Sequence, residues 1–236
     1  MLFGAPFFVR INCIMKVIYK IFKWALLLVG ALVLVAYVTG NQFLIKGLWA
    51  AYLHGNTSAT ISDAKFFETR TVEAGTSIDW KVSSDINKTN LSDLLRTSLE
   101  ETRSVAFLMA KGGELIYEEY WDDYSESSRS NSFSMAKSVT TMLAQCAIQD
   151  SYIGSWDDKA MKFLPELQGE FAEDLTLRHL STMIAGLDFN EHYTNPFDIT
   201  AKLYYGPDVA SLLFENVPVH EKSGTFEYQS GATQLL

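Results

Sequence analysis

Ser134 and Lys137 stand three residues apart in Ser132-Phe133-Ser134-Met135-Ala136-Lys137-Ser138, at the start of a run whose polar and apolar positions sort at helical period. Ser134, Lys137, Ser138, Thr141 and Gln145 fall on one face, and Met135, Val139, Met142, Leu143 and Cys146 on another. The hydroxyl and the amine are thus one turn apart at the head of the helix. Free backbone N–H groups and the positive helix end favour a developing oxyanion there, and a desolvated lysine, as the neutral amine, accepts a hydroxyl proton. That is the chemistry of attack on a carbonyl. The spacing alone is a weak signal, because Ser-x-x-Lys recurs at Ser62-Asp63-Ala64-Lys65 and an ordinary solvated helix face produces the same tetrad. A second polar group follows near the other end, where Phe226-Glu227-Tyr228-Gln229-Ser230-Gly231 places a tyrosine and a serine two apart. Taken alone, Tyr228 reads as a half-buried core tyrosine.

These residues need elements to hold them. Leu91, Leu94, Leu95 and Leu99 share one face of a helix with Asn90 as its N-cap. Val105 to Ala110 and Leu115 to Tyr120 are apolar and aromatic runs around Lys111-Gly112-Gly113-Glu114, the pattern of a β-hairpin. Residues 46–90 lack a strong period and read as a loosely packed stalk without function. Before the stalk, Trp24 to Ile45 forms 22 residues without a charge, long enough as a helix to span a bilayer. Basic residues precede it and no acid does, so the positive-inside rule puts residues 1–23 in the cytoplasm and the body beyond Lys46 outside. The small-x-small pattern of a cleavage site is not evident, which favours an uncleaved anchor. Met15 opens a more usual start for such a segment than Met1.

Composition removes other functions. With 48% hydrophobic and 20% charged residues the chain should fold rather than stay disordered. Beyond residue 40 it carries 15 basic against 28 acidic residues and no cationic cluster, which argues against nucleic-acid binding. His54, His179, His192 and His220 are dispersed without metal-ligand spacing, so no metal site is expected. Cys13 and Cys146 lie on opposite sides of the apolar segment, which argues against a disulfide. His179, in an apolar pattern, reads as a structural hydrogen-bonder, Glu118 and Glu119 as a solvated hairpin end, and Tyr193, Phe197, Tyr204 and Tyr205 as packing aromatics or cleft lining.

Taken in order, the series resembles the serine β-lactamase and penicillin-binding-protein superfamily, in its class C-like esterase and 6-aminohexanoate-dimer hydrolase branch. The likeness covers residues 91–236. It rests on Glu118-Glu119-Tyr120-Trp121, on Asn131 to Ser138, on Trp156-Asp157-Asp158-Lys159 leading to Phe163-Leu164-Pro165-Glu166-Leu167, on Leu175 to Leu187, and on the Tyr228 motif. The resemblance implies an α+β fold, an antiparallel sheet flanked by helices with a helical subdomain walling the cleft. It also implies acyl transfer on a small ester or amide, with Ser134 as nucleophile, Lys137 as base or proton relay, and Tyr228 passing the proton to the leaving group. Ser230 would stand where relatives carry Asn or Ser, bonding the lysine or the substrate. The Ser134 N–H would be one oxyanion donor. No cofactor is implied, a β-lactam is not the favoured substrate, and a bacterial source is suggested. Two departures stand out. Ser223-Gly224 replaces the usual Pro-Gly, and the family's third box and later strands would follow Tyr228, so residues 91–236 are expected to be the N-terminal part of the domain. The rival expectations are a binding protein with a vestigial serine site and an inactive truncated product.

Overall fold

The computed structural model describes residues 5–76 and 79–236; the side chains of residues 5–13, Arg10 and Cys13 among them, lie outside the described residues. Helix α1, Ala5–Val38, is a single rod, and its apolar stretch Ile14–Val38 is long and apolar enough to cross a bilayer. It ends earlier than the charge-free run Trp24 to Ile45. Gly40, at φ 71°, turns the chain, and the Asn41 N–H returns to the Ala36 carbonyl at 2.7 Å while Gly40 bonds Tyr37. A new helix, α2, Phe43–Ala50, then buries Phe43 and Ala50. The sequence expected one span because hydropathy does not register where the backbone turns.

Two compact units are present, residues 1–60 with 132–236, and residues 61–131. In the second, β2 (Ala106–Lys111) and β3 (Glu114–Tyr120) form the expected hairpin, with Gly112 and Gly113 both at positive φ as a two-residue turn of this hand requires. A two-residue strand, β1 (Lys81–Val82), pairs in parallel with β3, so the sheet is mixed, in the order β1-β3-β2. This draws part of the supposed stalk into the domain: the Asn87 side chain donates to the Glu118 carbonyl at 3.1 Å and accepts from its N–H at 2.8 Å. Helix α3, Asp93–Glu101, is capped by Ser92 rather than Asn90, the Ser92 hydroxyl accepting from the Leu95 N–H at 3.2 Å. Leu91 is buried, whereas Leu94, expected beside it, is 82% exposed. Glu119 is no solvated end. It accepts from Arg96 at 3.2 Å and from the Tyr117 hydroxyl at 2.5 Å, and those partners hold its carboxyl below the usual range.

The other unit has its core where Ala160, Leu167, Leu175, Leu177, Leu180 and Leu187 meet Leu213, Val217, Val219, Ala232 and Leu235. Leu177 and Leu180 come from α5 (Leu177–Ser181), Leu213 from α7 (Val209–Asn216) and Ala232 and Leu235 from α8 (Ser230–Leu235), while the rest lie in the connecting segments; α4 (Met135–Gln149) and α6 (Ile199–Tyr205) complete the helices of this unit. Between α4 and α5 the chain is pinned by Arg178 to Asp157 at 2.7 Å, Lys162 to Asp158 at 2.8 Å, and the Trp156 indole to Gln145 of α4 at 2.9 Å. His179 belongs to a capping box: the Thr176 hydroxyl accepts from the His179 N–H, and His179 Nδ1 accepts from the Thr176 N–H, each at 3.3 Å. The apolar face of α4 is less covered than its pattern suggests. Met135, Val139, Met142 and Leu143 are all exposed, and Ala144 is the buried residue of that helix.

Candidate active site

Ser134 occupies the N-cap of α4, but with φ −66° and ψ −11° it is already helical, and its hydroxyl does not cap the helix. The oxygen is instead met by Lys137 Nζ at 3.0 Å. An N-cap serine that caps has its oxygen committed to backbone N–H groups; this one keeps it for the lysine. The preceding turn is sharp. Phe133 sits at φ 45°, a costly conformation for a bulky residue, and its ring stacks on Tyr204 of α6 with centroids 6.2 Å apart and planes 11° from parallel. Such an outlier persists only where its surroundings hold it, and the Ser134 side chain that follows is exposed. Among the described residues, no acceptor meets the Ser134 N–H.

Lys137 is half-buried and reaches in a second direction, with Nζ 5.1 Å from the centroid of the Tyr228 ring. Ser134, Lys137 and Tyr228, some ninety residues apart in sequence, are therefore brought to one place. The Tyr228 segment is fastened on both sides. Upstream, the Glu227 N–H donates to the Met183 carbonyl at 2.8 Å. Downstream, Gln229, 2% exposed, donates its amide to the carbonyls of Leu187 at 2.9 Å and Phe189 at 3.0 Å. Gly231 lies so close to Phe189 that a Cβ there would come within 2.7 Å of the ring. Ser230 starts α8, and its hydroxyl donates to Glu191 at 2.6 Å. Its expected partners, the lysine or a substrate, are not what holds its proton.

Two residues escaped the sequence reading. Phe133 was visible only as an apolar neighbour of the serine, and no composition signal marks a strained φ. Glu191 lies in a segment noticed for its aromatics, and its link to Ser230 spans 39 residues. The rival tetrad resolves differently: Ser62 meets the Tyr124 hydroxyl at 3.1 Å, and Lys65 Nζ stands 4.9 Å from the Phe66 ring centroid. Among the described residues no group of three or more His, Cys, Asp or Glu side chains is arranged to hold a metal.

Comparison with known proteins gives three results. A 6-aminohexanoate-dimer hydrolase of Paenarthrobacter ureafaciens is 29% identical over 112 residues, which are 48% of this chain and 28% of that protein. A solved structure described as a putative 6-aminohexanoate-dimer hydrolase from Bacillus anthracis aligns with a TM-score of 0.45 at 19% identity, over 71% of this chain and 46% of that one. The chain thus spans under half the length of either relative. The Beta-lactamase family model matches residues 91–236, the stretch that contains the hairpin, the α4 serine and lysine, and the Tyr228 motif. By that match the chain belongs to the beta-lactamase family.

Proposed function

We propose that this chain carries the nucleophile-bearing part of a serine hydrolase that cleaves a small ester or amide through an acyl-enzyme. The observation that carries the reading is the 3.0 Å contact between Lys137 Nζ and a Ser134 hydroxyl left free of capping. In the first step Ser134 Oγ bonds to the carbonyl carbon and its proton passes to Lys137 in the amine form. The carbonyl oxygen takes the negative charge, and the Ser134 N–H at the positive helix end is placed to bind it. The tetrahedral adduct then collapses as the bond to the leaving group breaks. Tyr228, beside the Lys137 ammonium, gives its hydroxyl proton to the departing oxygen or nitrogen and recovers one from the lysine. Water repeats the sequence on the acyl-serine, releasing the acid and restoring the serine hydroxyl. The curated relative's name, a hydrolase of an amino-acid dimer, supports an amide or a comparable ester over other carbonyl substrates.

The same reading includes location. Lys16, Lys20 and Lys23 precede the charge-free part of α1 that begins at Trp24, which supports an anchor with its N-terminus inside and the catalytic unit on the outer face of the membrane.

A fluorophosphonate probe tests the nucleophile. The parent chain is expected to incorporate it at Ser134, and S134A to incorporate none. Equal labelling of S134A and parent would remove Ser134 from the role.

A further inference from the structure

The segment that follows α1 has two opposite sides. On one, Phe43, Ala50 and Ala51 are buried and Gly47 lies against the Tyr205 ring of α6. On the other, Leu48, Trp49, Tyr52 and Leu53 follow at helical spacing through α2 and the 3-10 turn Tyr52–His54, and all four are exposed, Leu53 by 70%. This second side carries no charge. Lys46 is the one Asp, Glu, Lys or Arg residue in residues 24–62, and all 28 acidic residues of the chain lie beyond them.

We propose that the apolar side of α2 and its following turn lies in the outer interfacial layer of the bilayer that α1 crosses; this rests on the reading of α1 as an anchor. The length of α1 favours it. From Trp24 to Val38 the helix is free of charge, and this stretch rises only ~22 Å against a hydrocarbon core of ~30 Å. With Lys23 at the inner boundary, Val38 ends short of the outer one, and tilt shortens the reach further. The turn that comes next suits the same level. The Thr39 hydroxyl donates to the Val35 carbonyl at 2.8 Å and the Asn41 amide to the Thr39 hydroxyl at 3.0 Å, while the N–H groups of Thr39, Gly40 and Asn41 donate to the carbonyls of Val35, Tyr37 and Ala36. Polar groups that satisfy one another lose little on leaving water. Beyond the turn stand a tryptophan and a tyrosine, which favour the headgroup level, with leucines beside them. A lipid surface fits this patch better than a second copy of the chain, because the patch continues from the exposed apolar surface of α1 with only residues 39–42 between them. Helix α1 anchors the chain, and the α2 contact fixes how the following unit is held against the membrane.

Tryptophan quenching in phosphatidylcholine vesicles tests the contact on the full chain. Trp24, itself in α1, is removed by W24F. Lipids brominated near the headgroup end of their acyl chains are expected to quench W24F, and in W24F/W49F the quenched fraction should be about half or less. Equal quenching of the two variants would overturn the proposal. So would a Trp49 that iodide in the water cannot reach and bromine does not quench, which would assign the cover to protein. Should W49F fail to fold, L53W added to W24F decides: Leu53 is exposed, so a ring is accommodated there, and quenching should rise above that of W24F. No rise overturns the proposal. Flotation of the same vesicles separates the two readings. A chain that floats with Trp49 unquenched refutes only the α2 contact, whereas a chain that does not float removes the anchor as well.

Discussion

At the scale of single residues, the site depends on what side chains are prevented from doing. Ser134 does not cap its helix, and so its oxygen is open to Lys137 at 3.0 Å. Phe133, next to the serine, sits at φ 45° with its ring stacked on Tyr204. Gly231 shows the same logic by lacking a side chain. Phe189 is buried, so a methyl group 2.7 Å from its ring cannot be absorbed by a simple rotamer change. The substitution G231A is expected to cost about 1–3 kcal/mol, read as a lowered urea midpoint at unchanged slope. The displaced segment carries Tyr228, so turnover should drop with it. An unchanged midpoint would mean that Phe189 yields more easily than its burial implies.

At the scale of elements, short helices are kept in place by caps and by loops pinned with charges. The box around α5 joins Thr176 and His179 reciprocally, and it requires His179 Nδ1 as an acceptor. Burial, reinforced by the nearby Lys159 charge, lowers the His179 pKa from its ordinary value. A lowered folded-state value means that the unfolded chain binds the proton first. The stability this provides is complete above the unfolded value of about 6.5 and is lost as pH falls from there toward the folded value. Thermal midpoints should therefore decline as pH falls below about 6.5, and H179N, which keeps an acceptor but does not titrate, should decline less steeply. Parallel profiles for the two proteins would assign the acid sensitivity to other groups. In the hairpin unit the Arg96–Glu119 pair joins α3 to β3, and because both partners are partly exposed its contribution belongs with the modest surface pairs.

At the scale of the whole chain, the dominant feature is uncovered apolar surface. Helix α1 is exposed along Ile14–Val38, and the α4 face of Met135, Val139, Met142 and Leu143 is exposed as well. A bilayer is the natural cover for the first. The full chain is accordingly expected to stay in the membrane pellet through a carbonate wash, and a version beginning at Asn41 to be released. Retention of the shortened chain would place the membrane attachment elsewhere. Because residues 1–60 and 132–236 form one unit, the segment following α1 is part of the body: α2 packs on α6, where a Cβ on Gly47 would lie 3.1 Å from the Tyr205 ring.

Much of this was written in local sequence. The 3.6-residue period, the double glycine and the charge-free run announced α4, the hairpin and the membrane-length helix, because each is dictated by residues a few positions apart. The order of the motifs announced the family, and the family match over residues 91–236 agrees. The resemblance implied Tyr228 in one site with Ser134 and Lys137, but no local pattern carried it, and the commitment of the Ser230 hydrogen to Glu191, the strained Phe133 and the recruitment of Lys81–Val82 into the sheet were not legible. All but Phe133 are pairings across long stretches of chain. Even Phe133 stacks on a ring, Tyr204, that lies beyond any local window. Periodicity and propensity report what a residue does with its near neighbours; which distant group receives its hydrogen bond is decided only when the core closes and brings the two together.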